Sequence, residues 1–332
     1  MAILRYIFPI TLLMLLTGCY ETFEPKIDTK PVLCINSLIT AGEPIEVQVT
    51  HTWAFNNEYE GNNHNVDDAV VAIYVNGMLQ HEDYIPEEGD DIRIVAESGK
   101  YGRAEASVTV PEAVPISALE FTPEILSICK NGEQPMSGSL SFNMKIAMKI
   151  VDTHLSDDFF RLDYNWWSPG GDEGNGDELN ASHPPYAYFS PGTFDYDAEP
   201  IFKEHISVFE SVMGGEDEIM TIFSDRQFAG KEYTLNLRFK NASYSVTAPE
   251  YDSGLYDCSM VFTLATVSRS YYDRALYVWQ RDAGVIGDLG DLGFAEPIWG
   301  YSNVSSGAGV VAARSFSTST LSLKEFIHDA LQ

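Results

Sequence analysis

Apolar and polar positions alternate with period two along much of this chain. Ile45-Glu46-Val47-Gln48-Val49 and Ala104-Glu105-Ala106-Ser107-Val108-Thr109-Val110 are clear cases, and this is the spacing of a strand with one buried face. An earlier strand is expected over residues 30–40, turned into the next by Ala41-Gly42-Glu43-Pro44. Residues 70–75 and 78–81 flank Asn76-Gly77, a pair that accepts positive φ and so predicts a type I′ hairpin. Residues 92–95 add a further strand. Short strands at this spacing, without helical stretches, predict an immunoglobulin-like β-sandwich over residues 31–113, with Pro111 and Pro115 at its boundary.

Residues 114–332 read as a larger β domain. The stretches 140–151, 160–164 and 233–239 alternate as strands. Tyr272, Ala275, Leu276 and Trp279 recur at helical spacing behind Ser270 and Asp273, a capping-box pattern that predicts a helix near 270–282. Ser322 and Glu325 repeat the pattern ahead of Phe326, Ile327 and Leu331, which predicts a short C-terminal helix. The expected fold is therefore mostly β: an N-terminal immunoglobulin-like sandwich, then a larger β-sandwich or open barrel with one packed helix and the short C-terminal helix.

The N-terminus follows a different pattern. Residues 1–5 are a short positive region and 6–16 an apolar run broken only by Pro9 and Thr11. That run is too short to span a bilayer and reads as a signal peptide over residues 1–18. Leu16-Thr17-Gly18-Cys19 is similar to the bacterial lipobox, which makes Cys19 the expected lipidation site and mature N-terminus. Several acyl chains on one residue meet the condition for stable anchoring. Residues 19–30, with little periodicity, read as the lipidated tether.

Charge narrows the partners. The chain has 20 Lys+Arg against 49 Asp+Glu, a net charge of −29. Such a surface repels nucleic acid, whose binding needs Lys and Arg at the phosphates. An apolar share of 45% and an aromatic share of 12% are those of a folded protein rather than a disordered one. Cys34, Cys129 and Cys258 form no paired framework; Cys34, in Val32-Leu33-Cys34-Ile35, is expected as a small buried residue, and a disulfide between Cys129 and Cys258 stays open.

No catalytic motif, metal site or cofactor is expected. The seven histidines are scattered, none three to five residues from another, and neither H-E-x-x-H nor G-x-S-x-G occurs. The acidic loop Asp172-Glu173-Gly174-Asn175-Gly176-Asp177-Glu178 offers oxygens of the kind Ca²⁺ takes, yet misses the EF-hand spacing; a solvated insertion is the plainer reading. Gly307 and Gly309 are expected to let backbones pass closely rather than to bind phosphate. Trp166 and Trp167 point to opposite faces of a strand. With Tyr186, Tyr188 and Phe189 they are the candidate contacts for a partner protein or for sugar rings. They flank a segment, 168–200, that shows little strand or helix periodicity and is expected as an ordered, partner-facing loop.

Four stretches together resemble a Bacteroidetes lipoprotein family of unknown function, whose members are typically encoded beside TonB-dependent outer-membrane receptors. They are residues 31–40; Val151-Asp152 leading into Asp157-Asp158-Phe159-Phe160-Arg161-Leu162; Ile222 to Tyr233, with Ser224-Asp225-Arg226 and Gly230-Lys231-Glu232; and Ala295-Glu296-Pro297-Ile298-Trp299-Gly300-Tyr301-Ser302-Asn303-Val304 followed by Gly307-Ala308-Gly309-Val310-Val311. The second departs from the family's usual longer Asn-Tyr-Tyr-like pattern. The resemblance implies a lipid-anchored protein of the cell outer membrane, on its periplasmic or its surface-exposed face, and no catalytic residues. The leading expectation is a non-catalytic accessory to a TonB-dependent receptor, acting as lid, substrate-capture module or assembly factor. The alternative is a free-standing surface glycan-binding lipoprotein.

Overall fold

A computed structural model of the chain describes residues 30–52, 64–81, 83–130, 136–155, 157–169, 186–206, 220–248, 252–282 and 300–332. The alternating runs become fifteen strands among these residues: β1 Leu33–Thr40, β2 Gln48–His51, β3 Val70–Val75, β4 Met78–Leu79, β5 Asp91–Ser98, β6 Gly102–Thr109, β7 Ile116–Lys130, β8 Met136–Val151, β9 Phe159–Trp167, β10 Tyr186–Ser190, β11 Thr193–Phe194, β12 Ile222–Ser224, β13 Glu232–Ala248, β14 Ser259–Val267 and β15 Val311–Ser322. Two α-helices accompany them, α1 Arg269–Asp282 and α2 Lys324–Leu331. Residues 32–52 and 62–332 form one compact unit, to which the following description applies.

Three sheets build that unit: β4-β3-β5-β6, β10-β13-β8-β7 with β11 beside β13, and a six-stranded sheet β12-β9-β14-β15-β1-β2. The six-stranded sheet is shared by two cores. Leu33, Ile35 and Ile39 of β1 and Val311 and Ala313 of β15 pack with Ile73, Ile92 and Ala104 from the four-stranded sheet. Phe160 and Leu162 of β9 and Phe262 and Leu264 of β14 pack with Phe142, Ile146, Leu237 and Tyr244 from the five-stranded sheet. The architecture is thus mostly β, a pair of sandwiches, and none of these sheets closes into a barrel.

The sandwich expected over 31–113 completes itself with distant residues. β1 runs parallel to β15, with Ser37 opposite Val311 and Ile39 opposite Ala313, and Val304 joins the same core. β2 alone beside β1 would leave the four-stranded sheet half covered, so the C-terminal strand supplies the rest. Cys34 differs from expectation: it is only half-buried, because Leu33 and Ile35 on either side take the inward positions. Cys129 is exposed and Cys258 buried, and no disulfide joins them.

The Asn76-Gly77 hairpin forms as expected, with φ of 51° and 81°. Gly307 and Gly309 also behave as expected. Ala308 forms a parallel bridge with Cys34, and Ser305 exchanges backbone hydrogen bonds with Glu105 of β6, so this stretch ties both sheets of the first sandwich. A Cβ on Gly309, at φ +107°, would lie 2.2 Å from the Ile35 carbonyl oxygen. Gly309→Ala is therefore expected to lower stability by roughly 2–5 kcal/mol, the sum of strained backbone and overpacking. Gly42→Ala is the control: φ is +82° but nothing lies within 4 Å, so its loss should be about 1 kcal/mol. Urea unfolding of both variants checks the difference.

Both helices lie where they were expected, with shifted caps. The Ser268 hydroxyl accepts the Tyr271 N–H, the N-cap role, while Ser270 donates to the Val311 carbonyl and fixes α1 against β15. At α2 the Ser322 hydroxyl accepts the Lys324 N–H, and Glu325 closes no capping box, since the N-cap position is Leu323. α1 covers the outer face of the six-stranded sheet, where Tyr272 packs with Phe159, Ala265 and Val267.

Candidate functional site

The five candidate contact aromatics do not form one platform. Residues 170–185 lie outside the described residues, but from Tyr186 on the segment expected as a loop holds β10, β11 and short 3-10 turns, and β10 pairs with β13 from Tyr186–Thr247 to Ser190–Ser243. Alternation then decides each ring. Phe189 is fully buried, 6.5 Å from the Phe142 ring, so no partner reaches it and its place among the contacts is corrected. Trp166 faces inward with Leu162 and packs, partly buried, on the same core. Tyr188 is 39% exposed on the outer face of the five-stranded sheet, and Trp167 is 43% exposed on that of the six-stranded sheet. Tyr186 aligns with Thr247. The Ser168 hydroxyl donates to the Ala187 carbonyl and accepts the Phe189 N–H, closing the corner between β9 and β10. Cys19 and the acidic loop 172–178 lie outside the described residues.

Tyr188 looks onto a face of small hydroxyls. It stands in register with Ser245 and Ser139, and the next row is Ser190, Ser243, Ser141 and Ser127. A second feature is a groove of about 820 Å³ between α1 and the outer face of β1 and β2, lined by apolar Leu38, Val47, Val278 and Val310 and by charged Glu46 and Arg274.

The densest chemistry lies elsewhere, where the chain crosses twice between sheets. The loop from β8 to β9 and the loop from β12 to β13 meet at one end of the second sandwich. Asp152 N–H donates to the Lys231 carbonyl, extending the β8–β13 ladder, and Asp225 N–H donates to the Asp158 carbonyl, extending β9–β12. The Asp152 carboxylate, almost fully buried, accepts the His154 and Gly230 N–H groups. His154 Nδ1 lies 2.9 Å from Asp158 Oδ2 and 3.9 Å from Asp152 Oδ1, while its Nε2 lies 3.1 Å from Glu112 Oε2. Donor atoms of Asp152, His154 and Asp158 all lie within 4.8 Å of one another.

Asp225 completes the group. It is fully buried, and neither carboxylate oxygen has a hydrogen-bond donor. Burial, only partly offset by the Asp158 backbone, and then the charges of Asp152, Asp158 and Asp157 push it up to about 6. Burial likewise raises Asp158, and the Asp158 carboxylate raises His154 against the opposing effect of its own burial. No Lys or Arg forms an ion pair with Asp152, Asp158 or Asp225 among the described residues. Nothing local in the sequence marks this cluster as a whole, because it spans two segments about seventy residues apart. The local signal was Asp152-x-His154 followed by Asp157-Asp158 at the start of a strand.

These features define a mostly-β double sandwich with an acidic, histidine-bearing end. The chain belongs to the family described as Domain of unknown function (DUF4249), whose profile matches residues 20–320. A comparison with curated proteins finds no match. Two of the stretches that carry the sequence resemblance, around 151–162 and 222–233, are the two that meet at the acidic end.

Proposed function

We propose that this protein is a non-catalytic lipoprotein of the outer membrane, held there through Cys19, that serves a TonB-dependent receptor as lid, substrate-capture module or assembly factor. The observation that carries the anchor is Leu16-Thr17-Gly18-Cys19 behind a short apolar run, directly ahead of the family's matched region. The receptor rests on the resemblance to Bacteroidetes lipoproteins of that genomic setting. The groove beside α1, lined by apolar and charged side chains, supports the capture role, since its size is that of a ligand-binding cleft. Exposed Trp167 and Tyr188 supply aromatic contact area of the kind that anchors interfaces.

Isolation of the full chain from detergent-solubilised envelopes tests this reading. A large outer-membrane barrel should accompany it in fixed proportion. The double variant Trp167→Ala, Tyr188→Ala should lose most of that barrel while its thermal midpoint stays nearly unchanged. A chain isolated alone, and undiminished on immobilised polysaccharide, would replace the receptor by the glycan-binding alternative. That second reading is favoured by Tyr188 beside the flat serine rows, because an aromatic next to small hydroxyls suits a sugar ring.

A further inference from the structure

The position of His154 raises a question of proton and charge balance. Its Nε2 faces the Glu112 carboxylate and its Nδ1 faces those of Asp158 and Asp152. Carboxylates only accept, so a neutral imidazole can satisfy one side and must turn a lone pair toward carboxylate oxygens on the other. A positive species, either a proton or a metal ion, belongs at Nδ1. Glu112 on Nε2 is the arrangement found behind metal-bound histidines, where an outer carboxylate fixes the tautomer and leaves the other nitrogen free to ligate.

Asp225 favours the metal. A proton on His154 would balance one charge, and Asp225 adds another carboxylate that is fully buried and has no donor on either oxygen. A buried charge without a partner is strongly unfavourable, and such groups are normally paired or bound to metal. Each carboxylate of Asp152 and Asp158 also keeps lone-pair capacity beyond its present hydrogen bonds.

We propose that Asp152, His154 and Asp158 bind a first-row divalent metal ion of the zinc class, which would cancel the Asp152 and Asp158 charges that face the buried Asp225. The imidazole nitrogen selects a zinc-like ion over Ca²⁺, which takes oxygen ligands. The ion would tie the end of β8 to the start of β9, pinning the two sheets of the second sandwich at that crossing. Its role is structural, since it would hold the end of one sheet to the start of the other.

The test uses the full chain in detergent, free of any affinity tag, stripped with chelator and dialysed. Zinc chloride, manganese chloride and calcium chloride are then added separately, and bound metal per chain and the thermal midpoint are measured. One zinc should be retained per chain. Zinc at about one hundred times its Kd should raise the midpoint by roughly 4 °C. His154→Ala and Asp158→Asn should each abolish both effects. If those variants fail to fold, the chelated wild type compared with its zinc-loaded form decides alone. Absence of zinc retention and of any midpoint shift overturns the proposal. So does equal uptake by His154→Ala, which would put the ion elsewhere. Calcium binding in preference to zinc overturns the assignment of the nitrogen ligand.

Discussion

Cys19→Ser is expected to abolish labelling by fatty acid and to move the protein from the membrane fraction to the soluble fraction. The thioether to a diacylglyceryl group needs the cysteine sulfur, and the hydroxyl of serine does not replace it. Each buried CH₂ of an acyl chain contributes about 0.8 kcal/mol, and stable attachment needs more than one chain. Removing the attachment atom therefore removes the whole of that energy. No helix among the described residues is long and apolar enough to cross a membrane in its place. The check is metabolic labelling followed by sedimentation. A variant that remains labelled and sediments as before contradicts the anchor.

Phe189→Ala lowers stability by about 3–5 kcal/mol, the range for truncating a buried aromatic, whereas Tyr188→Ala changes it by about 0.5 kcal/mol or less. The two residues are neighbours on β10, so propensity and backbone position are nearly the same for both. They differ in face. Phe189 is fully buried beside Ala187 and Tyr244 in the main core, and its removal leaves a cavity between two sheets. Tyr188 loses only contacts at the surface. Urea unfolding of the two single variants measures the contrast, and equal effects would mean that β10 is not paired to β13 in the register found here.

That contrast also shows where sequence reading succeeds and where it stops. Period-two alternation marks β6, β8 and β13 because each has one face in a core and the other toward solvent. The Asn76-Gly77 turn was legible because positive φ is a local demand met by few residue types. β7 was passed over. Pro123 lies in its middle, which ordinarily argues against a strand, yet β7 is an edge strand and its proline removes no ladder bond that the sheet needs. β10 carries no strand signal of its own, because Pro184-Pro185 and the glycine-rich stretch before it mask a run of only five residues. The parallel pairing of β1 with β15 spans more than 270 residues, and nothing local announces it. The cluster at Asp152, His154, Asp158 and Asp225 escaped for the same reason: its members become neighbours only when two crossings between sheets fall at the same end of a sandwich. Ser268, rather than Ser270, caps α1 because the helix begins at Arg269, and β15 holds both serine hydroxyls, tertiary contacts that capping patterns do not contain.

The anchor is the part of this account on which membrane attachment depends, and one measurement addresses it without a variant. Mass spectrometry of the N-terminal peptide from the protein isolated from its native membrane should give a chain that begins at Cys19 and carries a diacylglyceryl group on the sulfur, with residues 1–18 absent. A chain that begins at Met1, or at any residue other than 19, with Cys19 as an unmodified thiol, would contradict it.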